Sequence, residues 1–99
     1  MINHVSLNAI LCDVEDKEQI YRNIRLVRSY KNKEGVYAED VVRCMMWTKN
    51  NKNSLFSYKS GSLVSIDGRI ETVDNNIVII IESLTLLCGN YVDYHTRAL

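Results

Sequence analysis

The chain is 99 residues long, 46% hydrophobic, with twelve basic and twelve acidic side chains, which describes one neutral domain with a modest core. No apolar run approaches the roughly 20 residues of a membrane span, and no basic-then-apolar start suggests a signal peptide. Three widely spaced cysteines, Cys12, Cys44 and Cys88, suit neither a disulfide framework nor a zinc site, so they are expected as small apolar residues in a reducing cytoplasm.

Val5, Leu7, Ala9 and Leu11 alternate with His4, Ser6 and Asn8, the pattern of a half-buried first strand. Asp13 to Glu18 forms an acidic loop whose spacing lacks the Gly and terminal Glu of a calcium loop. In a second strand Ile24 and Leu26 share one face and Arg25 and Val27 the other. Lys31 to Gly35 is a polar turn. A third strand runs from Val41 to Lys49, and a short helix from Asn53 to Lys59, with Gly61 closing it in the left-handed conformation. Ser62 to Thr72 is the fourth strand, with Gly68 marking a bulge or a close backbone approach and Arg69 beside it on the opposite face. Asp74-Asn75-Asn76 is a tight hairpin turn into a fifth strand, Ile77 to Leu87. Five strands with a helix between the third and fourth predict an all-β OB-fold barrel over residues 1–88. Residues 89–99 are a short C-terminal extension. An SH3-like barrel normally has no helix at that point.

The neutral total hides an uneven distribution. Residues 19–69 carry ten Lys or Arg against four acids, and acids predominate on either side. On the third strand Val42, Cys44 and Met46 suit a barrel interior, whereas Val41, Arg43, Met45, Trp47 and Lys49 fall on the other face. Cations that follow phosphates beside an aromatic that stacks on any base suit a single strand of nucleic acid. The candidate surface is therefore Arg25, Tyr30, Lys31, Lys33, Arg43, Trp47, Lys49, Lys52, Lys59 and Arg69, with Tyr37 as a lesser base contact. Read alone, Trp47 is a core residue; its parity with Arg43 and Lys49 assigns it to the surface. Tyr21 and Tyr58 read as ordinary structural aromatics. The run Ile77 to Ile81 is apolar on both faces, which predicts that the face outside the barrel is covered, by the C-terminal tail folding back or, the favoured reading, by a second subunit in a dimer or tetramer.

No Ser–His–Asp or Cys–His arrangement, phosphate-cradling loop or metal-ligand spacing supports an enzyme, and no cofactor is implied.

Four segments resemble the bacterial single-stranded DNA-binding proteins. Asn3-His4-Val5-Ser6-Leu7 is similar to their opening N-x-V-x-L. Asn23-Ile24-Arg25-Leu26 resembles N-F-x-L. Asp40 to Lys49 is similar to D-F-x-x-V-V-V-W-G-K, and Gly61 to Ile70 to G-S-L-V-x-V-x-G-R-L. The resemblance implies sequence-tolerant binding of single-stranded DNA in replication, recombination or repair, with Arg25, Arg43, Trp47 and Lys49 as contacts. Val41 stands where the family often has a stacking aromatic. The short Asp74–Asn76 turn replaces a longer hairpin that carries contacts. In place of the family's acidic, apolar tip the chain ends Tyr94-His95-Thr96-Arg97-Ala98-Leu99, which implies that partner recruitment through such a tip is absent. The primosomal replication protein N, which also resembles this family, offers the alternative of a subunit acting mainly through protein contacts.

Overall fold

The computed structural model describes residues 3–46, 54–89 and 91. Five strands, β1 (Val5–Leu11), β2 (Arg22–Lys31), β3 (Tyr37–Met46), β4 (Leu63–Val73) and β5 (Asn76–Cys88), surround one helical turn, α1 (Ser54–Ser57). The strands pair in the order β1-β2-β3-β5-β4, and β4 pairs with β1 to close the ring. All neighbours are antiparallel except β3 and β5, which run parallel over residues 43–46 and 78–81.

The alternation that marks each strand in the sequence selects its inner face. Ala9 and Leu11 of β1, Ile24 of β2, Cys44 of β3, Val64 and Ile66 of β4, and Ile79 and Ile81 of β5 form one buried cluster, with Leu55 of α1 inserted among them. Leu7, Leu26, Val42, Met46 and Tyr58 pack against its margin. Apolar area removed from water contributes roughly 25 cal/mol per Å², so this cluster supplies most of the favourable energy of folding.

Arg22 departs from the apolar pattern. It is 2% exposed. Its Nε donates to the Cys12 carbonyl at 2.9 Å, and its Nη1 donates to the carbonyls of Leu55 and Tyr58. Those two carbonyls belong to the second residue of α1 and to the residue that follows its last. The guanidinium thus caps them, as basic groups do at helix C-termini. α1 ends at Ser57, before the Lys59 expected from the sequence, and Asn53 lies outside the described residues. Gly61 adopts φ 86°, as expected of a left-handed residue, but in the turn into β4, where its N–H donates to the Leu11 carbonyl.

Gly68 meets the expectation of a close approach. A Cβ built on it would lie 2.0 Å from the Ile80 carbonyl oxygen. The ladder shifts register here: Asp67 pairs with Ser83 and Gly68 with Ile81, so Glu82 is an extra residue on β5. A bulge of this kind bends the strand. It also switches the parity of β5, from Ile79 and Ile81 facing inward to Leu84 facing inward. β3 begins at Tyr37, earlier than the Val41 expected. The Asn32 side chain accepts from the N–H groups of Glu34 and Val36, and this tight turn lets pairing start at Lys31 and Tyr37.

The reading of the isoleucine run requires correction. Val78 and Ile80, on the outward face, are 0% and 3% exposed within the single chain. The barrel closes β5 between β3 and β4, so Arg43 and Met45 on one side and Arg69 and Glu71 on the other flank them. These two positions are covered within the chain, and the C-terminal tail, the other cover expected, lies outside the described residues save for residues 89 and 91. Ile77, at the end of the run, is 62% exposed.

Candidate nucleic-acid interface

The outer faces of β2 and β3 form the surface that the parity of β3 predicts. Tyr37, Glu39, Val41 and Arg43 are exposed in alternation with half-buried or buried neighbours. Cross-strand pairing sets Asn23 opposite Arg43, Arg25 opposite Val41, and Lys31 opposite Tyr37. The Lys31 ammonium lies 5.5 Å from the centre of the Tyr37 ring, and the Arg43 guanidinium 5.1 Å from that of Tyr21. Both are within cation–π range. Val41, 62% exposed, stands between the two pairs.

An open groove of about 800 Å³ adjoins this face; it is lined by Asn23, Val41 and Arg43, by Leu26 and Val42 of the core margin, and by Asn75, Asn76 and Ile77 of the β4–β5 hairpin. The short hairpin therefore borders this groove. Asp74 and Asn75 take φ of 51° and 66°, the left-handed pair of a tight hairpin turn, and this presents the asparagine amides beside β3.

The cations that sequence reading grouped together are dispersed and differ in their partners. Arg25 is within 3.6 Å of Glu39. Lys33 is exposed in the β2–β3 turn. Lys59 is exposed past α1, next to Ser60, which bonds the Cys12 carbonyl at the barrel end. Arg69 is separated from β3 by β5 and pairs with Glu71 at 3.1 Å and Glu82 at 3.7 Å. Trp47, Lys49 and Lys52, and the side chain of Tyr30, lie outside the described residues.

A hollow of about 370 Å³ is lined by Arg43 together with Asp13, Glu15, Asp16, Glu18 and Tyr21. The Asp16 carboxylate accepts from the N–H groups of Glu18, Ile20 and Tyr21. These backbone bonds, that from Tyr21 foremost, hold its pKa below the ordinary value. Among the described residues no group of three or more His, Cys, Asp or Glu is placed to hold a metal.

Sequence reading treated Tyr21 as an ordinary strand aromatic and Tyr37 as a lesser base contact; the structure sets each ring against a cation of the outer face. The available signal was parity: Tyr21, Asn23 and Arg25 continue the outward alternation of β2, and Tyr37 that of β3. Reading β3 from Val41 concealed the second case.

No protein-family model matches the chain. It is 42% identical over 45 residues to Single-stranded DNA-binding protein B of Bacillus subtilis, a match covering 46% of this chain and 40% of that protein. The chain is similar to bacterial single-stranded DNA-binding proteins. It spans less than half the length of this relative. In fold it matches the single-stranded DNA-binding protein of Plasmodium falciparum in complex with single-stranded DNA (TM-score 0.63, 15% identity, 88% of this chain and 96% of that one). It also matches the protein priB of Ralstonia solanacearum (TM-score 0.57, 18% identity, 87% and 98%).

Proposed function

We propose that this chain is an OB-type binding module, not an enzyme, that holds single-stranded DNA without sequence preference across the outer faces of β2 and β3. The work it supports is replication, recombination or repair. The observation that carries this reading is the exposed face on which Lys31 and Arg43 each sit against a tyrosine, with an open groove beside them. Cations follow the phosphates and aromatic rings stack on bases, and neither interaction depends on base identity. Similarity to the Bacillus subtilis protein points the same way. Trp47, Lys49 and Lys52 are included as contacts on sequence grounds.

Trp47 is the only tryptophan, so its fluorescence is a built-in reporter for titration with oligo-dT, oligo-rU and duplex DNA. Oligo-dT is expected to quench it and to bind more tightly than duplex of equal length. Affinity should fall as salt rises, with a log–log slope of about −0.7 per phosphate neutralised. Equal affinity for duplex, or no salt dependence, would overturn the reading.

Assembly as a homodimer or homotetramer is part of the proposal and would join several short grooves, multiplying affinity through effective concentration. Exposed Ile70, Leu86 and Leu87 on β4 and β5 supply apolar surface for it; sedimentation at micromolar concentration tests it. A docking subunit acting through protein contacts is the second reading. The internal pairing of Arg25 and Arg69 favours it, and absence of any oligo-dT binding would select it. No helix among the described residues is long and apolar enough to cross a membrane.

A further inference from the structure

We infer that Tyr21 is a positioning residue for strand binding: its ring holds the Arg43 guanidinium on the outer face of β3, ready for a phosphate and outside ion-pair distance of the carboxylates in the acidic hollow that Arg43 borders. The inference rests on the single-strand reading above. The Arg43 guanidinium lies 5.1 Å from the centre of the Tyr21 ring. Stacking engages the face of the guanidinium and leaves its five in-plane N–H donors for a planar or tetrahedral anion. Arg25 and Arg69, by contrast, direct their donors at Glu39 and at Glu71 and Glu82. Arg43 makes no ion pair with a carboxylate of the described residues, although four acids line the hollow beside it.

That neighbourhood explains why a positioning group is needed. Arg43 already borders the acidic hollow; without the ring, a carboxylate there would be free to form an ion pair with it and compete with phosphate for the same donors. The ring is itself anchored. The Tyr21 N–H donates to Asp16 at 2.9 Å, and on its other side Tyr21 borders Met45 and Ile80 in a hollow of about 400 Å³. The loop that supplies the competing acids thus also fixes the backbone of the residue whose ring Arg43 meets in place of an ion pair with them.

The test is an oligo-dT titration of wild type, Tyr21→Phe, Tyr21→Leu, Arg43→Gln and the double variant Tyr21→Leu/Arg43→Gln across a salt series. Tyr21→Phe is expected to bind within about twofold of wild type, because the ring remains. Tyr21→Leu and Arg43→Gln should each weaken binding by roughly three- to tenfold, with salt slopes shallower by about 0.7. The double variant should be no weaker than Arg43→Gln alone, since both changes remove one interaction. Wild-type affinity and slope in Tyr21→Leu, or losses that multiply in the double variant, would overturn the inference while leaving the strand-binding reading intact. Wild type that fails to bind oligo-dT overturns the reading itself. Should Tyr21→Leu fail to fold, ¹⁵N relaxation of the Arg43 Nε–H in wild type decides. An ordered signal that shifts on adding oligo-dT supports the inference, and a freely mobile one refutes it.

Discussion

Gly68 shows how a single missing side chain permits the barrel to close. Its would-be Cβ meets a backbone carbonyl, Ile80, which cannot rotate away. Gly68→Ala is therefore expected to cost about 2–3 kcal/mol, as overpacking does when neighbours cannot yield, seen as a lower urea midpoint at unchanged slope. Cys44 makes a different point. Burial pushes its thiol pKa up to about 12, outweighing the opposing influence of Arg22. The folded state favours the neutral thiol, so its contribution to stability is fully present below the unfolded value near 9 and is lost as pH rises from there toward about 12. Native protein at pH 8 should react with a thiol reagent at Cys44 only at the rate of unfolding, and Cys44→Ala should flatten the decline of stability above pH 9. Val41 carries the functional expectation at this scale. It is exposed, opposite Arg25 and two residues from Arg43. Val41→Trp should tighten oligo-dT binding by about tenfold, since a stacked base is worth about 1–3 kcal/mol; an unchanged affinity in a folded variant would remove this position from the strand path.

Among the elements, α1 is the one held in place by a distant residue. A four-residue helix cannot hold itself together in water. Leu55 anchors it in the core and Arg22, more than thirty positions earlier, closes its carbonyls. Arg22→Met keeps much of the volume but leaves the carbonyls of Cys12, Leu55 and Tyr58 without this donor. A loss of about 3 kcal/mol is expected, measured by thermal or urea unfolding, with Leu55 the first region to lose hydrogen-exchange protection. The strands, by comparison, are stable local readings, since each needs only its alternation and a turn. β5 is the exception. Its parity changes at Glu82, opposite Gly68, so no single alternation describes it, and its apolar run looked like a face in need of a partner.

For the molecule as a whole, the distribution of charge in sequence overstated the basic surface. Of the ten cations in residues 19–69, Arg22 is buried on carbonyls, and Arg25 and Arg69 face carboxylates. At most seven remain for phosphates, so the salt slope for single strands should be no steeper than about −5 at −0.7 each. A steeper slope in a salt titration would show that the internal ion pairs open on binding. Local alternation, turn residues and two glycines were sufficient to place the five strands in order and to select the outward face of β3, because those signals act between residues close in the chain. Which cations are free was not legible there. Glu39 meets Arg25, Glu82 meets Arg69 and Tyr21 meets Arg43 only once the strands pair and the barrel closes. The same closure buried Val78 and Ile80 between β3 and β4, because covering an apolar face depends on which strands become neighbours in space.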